Sequence, residues 1–568
     1  MDDTATINAA PPEEAWTVSA TAATALALYR PRTLKCGDTF LVLDHFGDAQ
    51  AVGATAEGLF HDDTRHLSRL SLRLGGMRPL LLSSAVSQDN ALLSVNLTNP
   101  DLMLPGGVAL KRDTVHIQRQ IVLGPGVLHE RVAVENFGDE AIELELSLTH
   151  AADFADIFEV RGMTRARRGE RLPPRVDEAG RLILSYRGLD EATRRTLLEF
   201  DPAPDRRQGR ESVWQLRLPP HERQVIEIAA TCARGDAAPA EPPGFAPLLG
   251  RLRAWSAGRM AERALVHSGH AEFNDWLHRS QSDLAMLTTD TPDGPFPYAG
   301  IPWFSCPFGR DSLISALQCL WADPALARGT LRFLAARQAM GLDPRRDAEP
   351  GKILHEMRRG EMAALGEVPF GQYYGSVDST PLFVVLAGAY LERTGDLDTL
   401  RGIWPAIERA LEWIERYGDP DGDGLLEYDR KSVNGLVNQG WKDSGDSIFH
   451  ADGRLAEAPI ALIEVQAYAE AAWRAAARIA VALGKAGDRA ETWRRRADLL
   501  RARVDTLFWC EEIGTYAIAL DGNKKPCRVR NSNVGHALLT GLFTPERAAR
   551  VADTLMAPDS FCGWGVRT

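Results

Sequence analysis

Asp236-Ala-Ala-Pro-Ala-Glu-Pro-Pro-Gly244 divides the chain, because the hydrophobic pattern has one period before it and another after it. Its Ala, Pro and Gly content is that of a semi-rigid linker, and linker composition extends over 231–265. Upstream, Thr39-Phe-Leu-Val-Leu-Asp44, Leu67-Ser-Arg-Leu-Ser-Leu-Arg-Leu74, Val115-His-Ile-Gln-Arg-Gln-Ile-Val-Leu123, Glu130-Arg-Val-Ala-Val-Glu-Asn136 and Ile142-Glu-Leu-Glu-Leu-Ser-Leu148 alternate apolar and polar residues. Such alternation, broken by Gly, Pro, Asn and Asp, predicts antiparallel strands with one buried face. A β-sandwich is therefore expected over 17–230, behind a short tail at 1–16. Downstream the period becomes 3.6, with helices predicted near 270–287, 310–322, 324–340, 379–395, 396–417, 459–484, 488–508, 531–542 and 544–557. Successive helices joined by polar, Gly-rich loops predict an (α/α)6 toroid of helical hairpins over 266–568. The fold class expected is multidomain, β followed by α. Nine predicted helices fall short of the twelve of a closed six-hairpin toroid, and Phe561–Thr568 is a polar, aromatic loop. An incomplete toroid, lacking its last hairpins, is the expectation.

The formal net charge of −12 over 568 residues argues against nucleic-acid or anionic-membrane partners, both of which need a basic face. A neutral substrate suits it better. The seven cysteines are scattered and form no CxxC pair, so neither a disulfide framework nor a zinc site is signalled. Met1–Pro11 is acidic and lacks the basic and apolar regions of a secretory signal, and no apolar run reaches the roughly 18 residues of a membrane span. A cytoplasmic location is expected.

The densest polar cluster is Asn438-Gln-Gly-Trp-Lys-Asp-Ser-Gly-Asp-Ser447, between two long predicted helices. Unpaired charge is costly to bury, so these residues face water or line a polar pocket. Trp441 favours the pocket, because sugar rings stack on indole while carboxylates and amides hold hydroxyls. A second patch, Tyr298–Ser312, presents Trp303, Phe308, Arg310 and Asp311 at the start of a predicted helix, where Asp311 is equally suited to capping. Lys352, His355, Glu356 and Arg358 lie on a further loop, and Asp378 precedes another helix. Loops that recur at one end of successive hairpins surround one mouth, which makes these residues candidate substrate contacts. In Pro459–Tyr468, Glu464 and Gln466 depart from the apolar face of the helix and are also assigned to the mouth. Asp419-Pro-Asp421-Gly-Asp423-Gly424 matches the opening of a calcium loop, but position 12 is Arg430 instead of a bidentate Glu, so a solvated turn is favoured and no metal is expected. Gly58–Arg65 and Asp153–Gly162 carry dense charge without a nucleophile and base, and are read as strand-edge structure.

Taken together, Gly58-Leu-Phe-His-Asp-Asp-Thr-Arg65, Asp153–Gly162, Pro302-Trp-Phe-Ser-Cys-Pro-Phe-Gly-Arg-Asp311, Asn438–Asp443 and Gly563-Trp-Gly-Val-Arg-Thr568 resemble the bacterial glycogen-debranching-enzyme-like family, the amylo-α-1,6-glucosidase group of six-hairpin glycosidases. The resemblance implies an inverting α-glucosidase that uses two carboxyl groups, no cofactor, and an α-glucan or small α-glucoside as substrate. It maps the general acid onto Asp443, with Asp446 as rival. It gives Asp311 a role in binding sugar hydroxyls, in a subsite shaped by Trp303 and Phe308. Lys442, beside Trp441, bears on the acidity of Asp443. The general base is expected in hairpins beyond Thr568; Glu356 or Glu464 is a substitute that no spacing supports. Two alternatives stay open: a sugar phosphorylase holding phosphate through Lys352, His355 and Arg358, and a carbohydrate-binding protein without a complete catalytic site. Linkage, chain-length preference and oligomeric state are not set by these residues.

Overall fold

A computed structural model describes residues 31–51, 55–104, 107, 109–235, 239 and 241–568. The expected tail at 1–16, the first residues of the expected sandwich, and Asp236–Ala238 and Ala240 of the expected linker lie outside the described residues. The chain forms two compact units: residues to 289 with 300–305 and 359–367, and residues 290–299, 306–358 and 368–568.

The first unit is built on antiparallel sheets. An eight-stranded sheet runs Glu170–Val176, Leu182–Arg187, Thr193–Asp201, Arg223–Arg234, Val127–Asn136, Val115–Gly124, Leu93–Thr98 and Leu80–Val86. A five-stranded sheet includes Ile142–Ala151 between Glu211–Leu218 and Arg69–Leu74, and a four-stranded sheet begins at Arg32–Cys36. Three of the five alternating stretches fall wholly within strands, Thr39–Asp44 runs one residue past its strand Thr39–Leu43, and Leu67–Leu74 joins two strands across Ser68; alternation puts one row of side chains into a shared core. Leu41, Leu72, Val95, Ile117, Val132, Leu146 and Trp214 belong to that core. Arg119 occupies an inward register position of its strand, fully buried, and is held by Asp48 at 2.6 Å and by Glu130.

Linker composition misdescribes residues 231–265. Residues up to Arg234 complete the strand Arg223–Arg234, and Phe245–Ala261 is a helix. Phe245 and Leu248 of that helix are buried with Val122 and Val127, so its apolar spacing outweighed the flanking Pro and Gly. Ala271–Leu287, expected to open the toroid, belongs to the first unit, where Asn90 donates to Asp283 at 2.9 Å and Lys35 Nζ to the Leu287 carbonyl at 3.3 Å.

The charged motifs at Gly58–Arg65 and Asp153–Gly162 do more than edge a sheet. Arg65 pairs with Asp153, and Asp156 caps the single helical turn Ile157–Val160. The same unit contains Arg359–Glu367, a segment from far downstream. Asp63 accepts from Arg359 N at 2.8 Å and Asp156 from Met362 N at 3.0 Å. Arg165, almost wholly buried, holds Glu361 at 3.1 Å and Glu367 at 2.7 Å, and Tyr186 donates to Glu361 at 2.8 Å.

The second unit is helical. Gly309–Cys319, Ser379–Thr394, Ile463–Ala482 and Val534–Thr540 pack in succession as inner helices, each followed in sequence by an outer helix: Pro324–Ala336, Leu397–Arg416, Gly487–Leu507 and Pro545–Met556. The inner helices Ser379–Thr394 and Ile463–Ala482 are buried around most of their circumference, whereas Leu397–Arg416 buries one stripe. Gly388 lets the first two approach closely: a Cβ there would lie 2.5 Å from Ala475 Cβ. Among the described residues, no helix is long and apolar enough to cross a membrane.

Candidate active site

The first turns of the four inner helices carry the site. Arg310 and Asp311 open Gly309–Cys319, Asp378 immediately precedes Ser379–Thr394, Glu464 is the second residue of Ile463–Ala482, and Asn533 and His536 flank the start of Val534–Thr540. Alternating inner and outer helices therefore bring residues from four distant stretches to one end of the unit. The loop 438–447 lies against this end. Its Gln439 carbonyl accepts from Val377 N at 2.8 Å, beside Asp378.

Arg310 is the hub. Its guanidinium donates to the Gly440 carbonyl at 2.7 Å, to Asp443 Oδ2 at 3.0 Å and to Asp378 Oδ2 at 3.4 Å, and lies 3.8 Å from Asp311 Oδ2. Burial opposes its charge, but the Asp378, Asp311 and Asp443 carboxylates outweigh that and raise its pKa. Asp378 is fully buried and also accepts from Ser376 Oγ. Burial raises the pKa of Asp311, although its side chain retains 39% exposure and so is open to a ligand.

The loop divides by role. Asn438, Gln439 and Gly440 are buried anchors: Asn438 accepts from Tyr428 OH at 2.7 Å and donates to the Ser444 carbonyl at 2.7 Å, and Gln439 donates to Asp347 at 3.3 Å. Trp441, Lys442 and Asp443 are half-buried, while Ser444, Gly445 and Asp446 are exposed. The Trp441 ring lies 4.6 Å from that of His536, whose Nδ1 is 2.6 Å from Tyr468 OH, and Lys442 Nζ lies 5.6 Å from the indole. Desolvation lowers the pKa of both Lys442 and His536.

Glu464 is wholly buried behind the loop. A Cβ on Gly440 would lie 3.4 Å from Glu464 Oε1, and that oxygen accepts from Asn533 Nδ2 at 2.9 Å. Desolvation pushes the Glu464 pKa up to about 7.

Of the residues singled out in the sequence, Arg310, Asp311, Asp378, Trp441, Lys442, Asp443 and Glu464 are brought to this end. Four others are engaged elsewhere within the second unit, and Trp303 lies in the first. Gln466 spends its amide on the backbone, accepting from Leu426 N at 2.8 Å and donating to the Leu426 and Leu462 carbonyls at 2.7 and 3.0 Å. Glu356 is paired with Arg358 at 2.6 Å. Lys352 is buried, 5.5 Å from the Trp413 ring, and lines a cavity of about 70 Å³ with Asp347, Glu349, Tyr428 and Gln439. The Phe308 ring is buried edge-on against His355 at 5.6 Å, in a packing role. Trp303 belongs to the first unit, where Arg161 stands 5.9 Å from its ring. Asn533 and His536 join the site without a motif of their own in the sequence; their signal is position, in the first turn of every second helix.

The fold is an antiparallel β domain followed by a helical domain of (α/α)6 kind, and the helical domain matches a glycoside hydrolase domain. Residues 34–229 match the N-terminal domain of (some) glycogen debranching enzymes, and residues 308–568 match the mannosylglycerate hydrolase MGH1-like glycoside hydrolase domain. Together the two matches fit a glycogen-debranching-like family of glycoside hydrolases. Similar solved structures include a "Putative kojibiose phosphorylase from human microbiome", 8% identical, with a TM-score of 0.56 over 91% of this chain and 73% of that one. Another is a bacterial glucoamylase complexed with acarbose, 12% identical, with a TM-score of 0.51 over 90% of this chain and 71% of that one. No curated protein matches the chain in sequence.

Proposed function

We propose that the protein hydrolyses α-glucosidic linkages of an oligosaccharide or small α-glucoside by acid–base catalysis, with Asp443 as the residue that delivers the proton to the departing oxygen. The observation that carries this is the position of Asp443: its side chain is 38% exposed, it lies two residues from a half-buried tryptophan, and a buried arginine orients it. A proton donor must reach the glycosidic oxygen, and Glu464, with no exposed surface, does not. Arg310 is a positioning residue, fixing Asp443 and the Gly440 carbonyl together. Asp311 is offered to sugar hydroxyls. Neither Glu356, bound by Arg358, nor Glu464 is placed to activate a water, so the second carboxyl group of an inverting pair is assigned to neither.

The phosphorylase alternative needs cations gathered on one phosphate. Lys352, His355 and Arg358 do not supply them: Lys352 is buried and donates to the Asp347 carbonyl at 3.2 Å, burial keeps the His355 pKa low between Phe308 and Tyr373, and Arg358 is bound to Glu356. Hydrolysis is the better supported chemistry, and α-1,6-glucosidase action is the form the debranching-like family favours.

The test is glucose release from α-1,6- and α-1,4-linked glucosides by the full-length protein, with and without inorganic phosphate. Asp443→Asn is expected to lower kcat by at least about 10³-fold while substrate still binds. Near-normal turnover by this variant, or sugar 1-phosphate formed only when phosphate is present, overturns the proposal.

A further inference from the structure

We propose that the Asp419–Gly424 loop is a cation-binding turn whose cation is supplied by the chain itself, the Lys524 ammonium, and that removing this amine uncovers a site for a divalent ion such as Ca2+. Nothing in this depends on the substrate of the enzyme.

Each aspartate of the loop uses one carboxylate oxygen to fold the turn. Asp419 Oδ2 accepts from Gly424 N at 2.9 Å, Asp421 Oδ1 from Asp423 N at 3.2 Å, and Asp423 Oδ1 from Leu425 N at 2.9 Å. One oxygen from each of the three comes within 4.8 Å of the other two, as in a loop that wraps an ion. Lys524 fills that place. Its Nζ lies 2.9 Å from Asp421 Oδ2, 3.0 Å from Asp423 Oδ2, and against Glu427 Oε1. An ammonium has three N–H donors, and three carboxylates take them.

The lysine is presented by a rigid turn. Its backbone is left-handed, with φ of 60°, and Asp521 Oδ1 accepts from Asn523 N and Lys525 N, each at 2.9 Å. Three carboxylates hold the single ammonium with Asp419 beside two of them, and two oxygens, Asp419 Oδ1 and Glu427 Oε2, are buried with no hydrogen bond. The Glu427 side chain is wholly inaccessible. A bound Ca2+ takes about 6–8 oxygens, so these two join the three that the ammonium releases, and water fills the remaining positions. The latch also bears on the catalytic loop through the next residue, since Tyr428 OH donates to Asn438 Oδ1.

The test compares full-length wild type with Lys524→Ala by thermal melting in EDTA and in Ca2+, and by Tb3+ luminescence sensitised through tyrosine and tryptophan. Wild type is expected to melt identically in both solutions. The variant is expected to melt lower in EDTA, to recover in Ca2+, and to bind Tb3+ at least tenfold more tightly than wild type. Adding Asp421→Asn to the variant is expected to abolish the gain, which locates the ion. Wild type stabilised by Ca2+ overturns the proposal, and so does a variant that binds Tb3+ no better than wild type. If Lys524→Ala is recovered unfolded, Lys524→Gln, which keeps the stem and a donor, gives the same comparison.

Discussion

Arg310 shows how one side chain makes a site from separate pieces of chain. It satisfies a loop carbonyl, a buried aspartate and a half-exposed aspartate together, so removing it leaves Asp378 as an unpaired buried charge. Arg310→Met is expected to destabilise the protein by about 3–5 kcal/mol in denaturant unfolding and to lower kcat. Arg310→Lys restores the charge without the fork and is expected to recover stability in part while activity stays low. Glu464 makes a different prediction. Its pKa rises from 4.5 to about 7 on folding, so below about pH 4.5 it is neutral in both states and costs nothing, and as pH climbs to about 7 the folded state loses stability, in total about 3 kcal/mol. Glu464→Gln keeps the Asn533 contact without the charge, so its unfolding free energy relative to wild type is expected to rise between pH 4.5 and 7 and then level off; a flat difference would remove Glu464 from this role. Arg310, Asp378 and the Trp441–Asp443 stretch were legible in the sequence because charge beside aromatics has few other homes. Gln466 was misread because a buried amide satisfied by backbone looks the same in sequence as one held for a ligand.

At the scale of elements, the inner helices position the site because they pack closely. Gly388 and Ala475 set the separation of Ser379–Thr394 and Ile463–Ala482, and Gly388→Ala inserts a methyl 2.5 Å from Ala475 Cβ. About 1–3 kcal/mol of destabilisation is expected from this overpacking, read as a lower Tm, with wild-type-like melting counting against the close approach. Paired substitution with Ala475→Gly is expected to restore part of the loss. Every helix predicted from the 3.6-residue period is present, because amphipathic spacing and capping residues such as Asp323 and Asp396 are local signals. Phe245–Ala261 is hidden in the sequence because its apolar positions follow directly on a Pro- and Gly-rich run, whose composition masks the helical period.

At the scale of the whole molecule, the first unit is not a continuous stretch of chain. Asp63, Asp156 and Arg165 each bond to Arg359–Glu367, a dependence invisible in sequence because those partners lie about 200 residues or more apart. Arg165→Ala leaves the buried Glu361 without its cation and is expected to speed proteolytic cleavage within Arg359–Glu367 and to lower Tm by several degrees. Unchanged protection of that segment would show that the other contacts suffice. The discontinuity also imposes an order of events on the ribosome. The sheets emerge first, but Asp156 and Arg165 have no downstream partner until the stretch from Thr289 to Glu367 has been made, on the order of several seconds later. During that interval the nascent β half carries a preformed acceptor for a strap not yet synthesised, so stalling translation just before Arg359 traps it open and stalling past Glu367 lets it close.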